Sequence, residues 1–457
     1  MISPEEIAEV VEPLHSKYGF ARALLQQTGG SIVSANLKQT MAEPVPSRRG
    51  IVLSVVKDGL FYEASSAIAR KADLQKLANG LQKSINDSEL KGRELSLLEE
   101  EKLNKKFEPV IGQELELKEK ISFARKMVEN IKQADDAVVT AQVRFKQVSN
   151  DEVYVSANKR LSQQLSRFEA IFVAVLRDKD GNSSQIYDGY ALQGGWEHMQ
   201  PPEGLIKKMV ADGKKLLSAP RLKPGMYDCI FSPSLSGILA HEAFGHGTEA
   251  DTMVKNRARG SEYMNEAVAS EKVNLYDSPA LENAAASYFF DHEGQLASTT
   301  RIVEKGILNQ PMTDHRSASV LEVERSPNGR RESYDHKIYT RMTNTYFMPG
   351  SDTLEQMIAS IEDGYLVERA TNGMEDPKSW GIQLEALSAE RIKNGKRTGE
   401  MFTPVIVTGY VPDILKSISM VSDNIEIGGL GMCGKGYKEW VKVTDGGPYL
   451  KLRARLA

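Results

Sequence analysis

The stretch from residue 136 to residue 192 constrains the fold most. It runs through "DAVVTAQVRFKQVS", "DEVYVSANK" and "FEAIFVAVLRDKDGNSSQIYDGYAL". Apolar and polar side chains alternate, and β-branched and aromatic residues fill the apolar positions. A period of two is the period of a strand with one face buried. Turn signals at Ser149-Asn150 and Asp180-Gly181 divide the run into antiparallel strands. A second signal lies upstream, where "RRGIVLSVVKDGLFYEASS" reads as two strands joined by Asp58-Gly59, a pair that favours a tight hairpin turn. A chain with these segments must build an antiparallel sheet.

The segments around them are helical. Residues 3–16 have amphipathic spacing. Residues 67 to about 134 are rich in Lys, Glu, Leu and Gln, and Pro109 with Gly112 divides them. They are expected to form a helical hairpin, packed on its own chain or against a partner. "PPEGLIKKMVADGKKLLSA" is a helix opened by prolines. Residues 1–222 are therefore expected to form an α+β domain of long helices on an antiparallel sheet. "APRLKPGMYD" is the linker, and residues 223–457 form a β-rich domain of short strands and Gly-rich turns. A chain of 457 residues is long enough for two such cores.

A net charge of -4 argues against direct nucleic-acid binding, because phosphate contacts need a dense Lys/Arg surface. No apolar run of about 18 residues is present to span a membrane as a helix. Two cysteines, Cys229 and Cys433, make no disulfide scaffold and fit a reducing, cytoplasmic setting. The acidic N-terminus lacks the apolar region of a signal peptide.

The chemistry concentrates in "ILAHEAFGHGTEAD", residues 238–251, with Ser232 as helix N-cap and Pro233 at the first helical position. His241 and His246 stand five apart, with Glu242 between them. The zinc-protease signature spaces its histidines four apart. On a regular α-helix, positions five apart lie roughly 140° from each other. They share a metal only if the helix widens into a π-turn or ends, so a distortion is expected at residues 244–247, where Gly245 sits. A regular helix would leave two unrelated core histidines. If the histidines hold a metal, Glu242 stands where the base that activates a water belongs, the metal lowering that water's pKa toward about 7. A third ligand comes from elsewhere: Glu249, Asp251, His292, His315 or Cys433. Around Cys433, Gly429, Gly431 and Gly434 spell a dinucleotide fingerprint, and Gly429 to Lys435 nearly spells a phosphate loop. Both need a helix next, and "YKEWVKVTDGGPYLKL" reads as strands.

Taken together, "ILAHEAFGHGTEAD", "FFDHEGQLASTTRIVEKGIL", "SPNGRRESYDHKIYTRMTNTYFMPG" and "GGLGMCGKGY" resemble the TldD/PmbA metalloproteases, also called modulators of DNA gyrase or U62 peptidases. The order of motifs covers most of residues 220–457. The resemblance implies zinc held by His241, His246 and Cys433, with Glu242 as catalytic base. It implies a peptidase acting on small or unfolded polypeptides inside a dimer, either a homodimer or a heterodimer with a metal-free paralogue. With its metal residues intact, the chain resembles the TldD-type member. It departs from the family at Asp291-His292, where an acidic pair is usual, and at "GYKEW", where Gly-Gln is frequent. His292, Arg331, Tyr334 and His336, from the matching motifs, are candidates for contact with substrate or its oxyanion. The competing readings are an inactive, metal-stabilised peptide-binding or assembly subunit of a TldD/TldE-like complex, and a cysteine hydrolase with Cys433 as nucleophile.

Overall fold

The computed structural model describes residues 2–67, 70–93, 95, 100–437 and 439–457. Its first sheet has eight strands: β1 (Ala21–Asn36), β2 (Thr40–Pro44), β3 (Arg48–Lys57), β4 (Leu60–Ser66), β5 (Leu103–Lys106), β6 (Val138–Ser156), β7 (Lys159–Arg177) and β8 (Ser183–Gln193). Their order is β4-β3-β1-β6-β7-β5, with β2 on β1 and β8 on β7. All pairs are antiparallel except β5 with β7. The β3–β4 hairpin turns at Asp58 and Gly59, with φ of 51° and 73°, the positive values that such a two-residue turn needs.

Two expectations are corrected. No turn occurs at Ser149-Asn150; the ladder continues through Ser149↔Ser166 and Asn150↔Leu165, and the chain reverses after Ser156. Around this point both faces of β6 are covered, and Gln147 and Val148 are buried in succession. Polar residues there are sheet contacts rather than turn signals. The helical run is also no hairpin. It holds α2 (Lys71–Asn86) and α3 (Leu117–Gln133), with β5 between them; residues 68, 69, 94 and 96–99 of the run lie outside the described residues.

Alternation decides where the helices lie. Ala21, Ala23, Leu25, Val33 and Ala35 share one face of β1, since residues two apart point the same way. At one end of this face α1 (Pro4–Tyr18) and α2 bury Val11, Leu14, Leu74 and Leu81. At the other end α3 buries Ala124, Val128 and Ile131. The apolar stripes of α2 and α3 thus face different stretches of sheet rather than each other.

The opposite face meets the second half of the chain. Here Arg22 and Glu293 form an ion pair at 2.6 Å, buried on both sides. Gln26, Gln163 and His292 converge on Glu152. Lys442 pairs with Glu169 at 2.8 Å. Removing one member of a buried pair leaves an uncompensated charge. Glu293→Gln is therefore expected to destabilise the protein by about 3–5 kcal/mol, read as a lower urea midpoint. Burial opposes ionisation of Glu293, but Arg22 and Arg325 outweigh it and hold the carboxyl at about 2, below its ordinary 4.5. A lowered folded-state pKa stabilises above the unfolded value and loses that stabilisation as pH falls through the folded one. The Glu293 contribution should fade between pH 4.5 and about 2, and the variant should lack that part of the acid limb.

Beyond α4 (Leu205–Lys215), strand β9 (Gly225–Phe231) enters a second sheet. Strand Asp363–Asp376 pairs with β9, β9 with Leu450–Leu456, that strand with Val405–Tyr410, that one with Gly381–Lys393, and the last again with Asp363–Asp376. The five strands close into a ring. A further sheet of short strands is pinned by Asp277, which accepts hydrogen bonds from Thr343, Thr345 and Asn328. Helix α5 (Pro233–Ala240) runs between ring and sheet, burying Leu235 and Leu239. Gly237 of α5 packs against Asp445 and Gly446 of the sheet, and Ile238 against Gly373 of the ring.

Candidate metal centre

Helix α5 does not stay α-helical. Residues His241–Gly245 form a π-turn, in which the His246 N–H donates to the His241 carbonyl, and His246–Thr248 tighten into a 3-10 turn. The extra residue in the turn swings His246 back toward the face that carries His241. The two rings meet edge to face with centroids 5.0 Å apart. The expected distortion is present, but Gly245 serves it differently than expected. Its φ and ψ of -64° and -71° lie in the right-handed region, so conformational freedom is not the reason for glycine. A Cβ there would lie 2.2 Å from the Met342 sulfur, so close packing is.

Cys433 arrives on strand Met432–Lys435, paired with Glu439–Lys442. This hairpin stands where a nucleotide motif would need a helix. Arg341 donates to the Cys433 carbonyl and fixes the strand. One ligand atom from each of His241, His246 and Cys433 lies within 4.8 Å of the others, and Cys433 Sγ is 3.7 Å from His246 Nε2. Zinc bond lengths at a tetrahedral angle put such a sulfur and nitrogen about 3.6 Å apart. His241 Nδ1 is buried with no hydrogen-bond partner among the described residues. Burial opposes a thiolate at Cys433, but His246 and His241 beside it bring the thiol well below its ordinary value. A thiolate and two imidazoles make a donor set that fits zinc.

The ring behind His246 is held as metal-ligating histidines usually are. Its Nδ1 lies 3.1 Å from Glu249 Oε2. Glu249 lies 3.0 Å from the Lys435 ammonium, which bonds Asp251 at 2.6 Å and donates to the Thr340 carbonyl. Burial works against the Glu249 charge, yet Lys435 and His246 hold its carboxyl at about 2. Glu249 and Asp251 therefore orient the centre rather than complete it. A carboxylate behind a ligand is worth 10- to 100-fold in metal affinity on the order of common cases. Glu249→Gln is expected to weaken zinc retention by roughly that factor, measured by competition with a chromogenic chelator.

Glu242 is half-buried beside the trio. Its Cγ would lie 2.7 Å from a Cβ at Gly373, so the backbone of strand Asp363–Asp376 passes directly over it. Two acids absent from the sequence reading also face the centre. Burial raises Glu375 to about 9, with His246 opposing and Glu242 and Glu249 adding to it. Burial raises Asp445 to about 6, His241 opposing and Glu242 adding. No local motif marks either residue; their role comes from a strand crossing the turn.

The four residues expected to face substrate have other engagements. His292 lies 3.1 Å from Glu152, and its Nδ1 accepts from the Arg331 N–H. Arg331 pairs with Glu63 at 2.8 Å. The Tyr334 ring lies over Gly50 of β3. His336 contacts Asp335 and Ser333. His292, Arg331 and Tyr334 thus belong to the seam with the first sheet, and their contacts give no support to a substrate role. His315, an alternative ligand, is buried edge-on against Phe20 and Phe61.

The trio has the donor chemistry of a metal site. The family model described as the PmbA/TldA metallopeptidase C-terminal domain matches residues 224–455, about half of the chain, and the protein belongs to this PmbA/TldD family. A metalloprotease of Methanocaldococcus jannaschii is 25% identical over 92% of this chain and 93% of its own. A zinc metalloprotease TldD homolog of Saccharolobus solfataricus is 31% identical over 50% of this chain and 51% of its own. The crystal structure of TldE from Thermococcus kodakarensis superposes with a TM-score of 0.80 at 18% identity, covering 99% of this chain and all of that one. A modulator of DNA gyrase from Bacteroides thetaiotaomicron gives 0.78 at 17% identity, covering 100% of both chains. These two likenesses concern the fold. Among the described residues no helix is long and apolar enough to cross a membrane.

Proposed function

We propose that the protein is a zinc-dependent peptidase acting on small or unfolded polypeptides, with zinc held by His241, His246 and Cys433 and with Glu242 as catalytic base. The observation that carries this reading is the π-turn that brings two histidines five apart to one cysteine, with a glutamate beside them. A structural zinc site is normally closed by four protein ligands and has no use for such a glutamate. The metal, when bound, polarises the scissile carbonyl and acidifies water. Glu242 takes the proton of the attacking water and later delivers it to the leaving nitrogen. The Lys435–Glu249 pair keeps the His246 ring in place throughout.

The substrate's main chain is accommodated by a strand edge. Strand Asp363–Asp376 pairs along its length with Gly381–Lys393, but on its other side β9 covers only 364–367. Residues 370–376 have no strand on that edge among the described residues, and they pass over Glu242. A peptide added there is held by backbone hydrogen bonds, which favours extended chains and little side-chain selectivity. We further propose a cytoplasmic protein that works with a second subunit, its own copy or a metal-free relative. The hairpin carrying Cys433 supports this by exposing Met432, Tyr437 and Trp440, an apolar tip of the kind found at interfaces. The reading is tested on a casein-like unfolded polypeptide: cleavage should stop with a chelator and return with zinc. Cleavage untouched by chelation overturns it.

A further inference from the structure

Glu375 is an anomaly that packing does not explain. Both carboxyl oxygens are buried and have no hydrogen-bond partner among the described residues. Burying a polar group without a partner destabilises a fold, and an apolar residue would suit the place better. The surroundings are close and polar. A Cβ at Gly247 would lie 3.3 Å from Glu375 Oε1 and 3.2 Å from Trp380 Nε1, and that indole N–H is also buried without a partner. The register shows what the carboxyl faces. Gly373↔Leu384 and Glu375↔Ile382 are regular pairs, so residues 373 and 375 share one face of their strand. Residue 373 meets Glu242, and residue 375 meets the turn at His246–Gly247. The stretch of residues 371–376, which no strand covers on that edge among the described residues, thus carries a carboxyl beside the turn that holds His246.

A scissile amide has an oxygen that accepts and an N–H that donates. The metal and the base serve the oxygen and the water; the N–H needs an acceptor of its own. Of the other acids near the trio, Glu249 is engaged by His246 and Lys435, and Asp445 packs against the backbone of α5 at Gly237. The Glu375 carboxyl instead lies against Gly247, the residue next to His246, with both oxygens unpaired among the described residues.

We propose that Glu375 is a second catalytic carboxyl, which accepts the hydrogen bond of the scissile N–H and then holds the amine that leaves. This rests on the hydrolase reading above. The water oxygen bonds to the carbonyl carbon as the C–N bond breaks. One water proton passes through Glu242 to the nitrogen, the other leaves with the new carboxylic acid, and Glu375 neither gains nor loses a proton overall.

The experiment compares a peptide with its depsipeptide, in which an ester oxygen replaces the scissile N–H. Glu375→Ala should lower kcat/KM for the peptide roughly 10- to 100-fold, the cost of leaving a buried amide N–H without its acceptor. It should leave the ester rate within about twofold and the zinc content unchanged. Glu375→Gln, which keeps a carbonyl acceptor, should restore most of the peptide rate and guards against a misfolded alanine variant. Equal losses on both substrates in both variants, or no loss on the peptide, overturn the assignment. A wild-type protein that cleaves neither substrate overturns the hydrolase reading instead.

Discussion

Protein purified without a tag should carry about one zinc per chain, and Cys433→Ala should lower this to background. The expectation follows from where the cysteine sits. Cys433 lies on a strand of a separate hairpin and reaches the turn carrying His241 and His246 from the far end of the chain. Without its sulfur two imidazoles remain, one of them already bonded to Glu249. Two ligands do not make a zinc site, which takes three or four protein donors. The hairpin itself should survive, because Arg341 holds the backbone carbonyl of residue 433 and Lys435 is anchored to Asp251. Elemental mass spectrometry reads the metal and circular dichroism reads the fold. If the alanine variant keeps full zinc, the three-ligand assignment is wrong. If the wild type takes up none even when zinc is supplied, the histidines are a feature of helix packing and the chain is a binding subunit.

How much of this was legible beforehand differs with the range of the interaction. The π-turn is legible because it is local: histidines five apart meet on one site only where the helix widens or ends, and it widens at His241–Gly245. The Asp58-Gly59 hairpin was legible for the same reason. The partner of the histidines was not. The residues alone offer five candidates, and only the family resemblance points to Cys433, since nothing local says which distant strand reaches the turn. Glu375, Trp380 and Lys435 carry no local signal either; each gains its place from tertiary packing of strand on helix. The errors have physical causes of the same kind. Ser149-Asn150 looks like a turn only if β6 has one solvated face, and it has none there. Residues 67–134 look like a hairpin only if the two apolar stripes face each other, and each faces the sheet.

Glu242→Gln should keep the zinc and lose peptide hydrolysis by roughly 100- to 10,000-fold, the usual contribution of a general base. Glutamine fills nearly the same volume, so the close passage of Gly373 over residue 242 is undisturbed. No ligand is removed and the π-turn, formed by backbone bonds, remains. What disappears is the capacity to take a proton from water and return it to nitrogen. The measurement is kcat on an unstructured peptide together with zinc stoichiometry, and the pair of values separates three chemistries. Retained zinc with lost turnover identifies Glu242 as the base. Lost zinc with lost turnover means the carboxylate holds the metal, directly or through the turn. Unchanged turnover shifts the chemistry to another nucleophile, and Cys433, held toward its thiolate form by His246 and His241, is the group with the means. Chelation decides that last case, because a thiolate nucleophile works without metal, whereas alkylation of Cys433 stops both mechanisms alike.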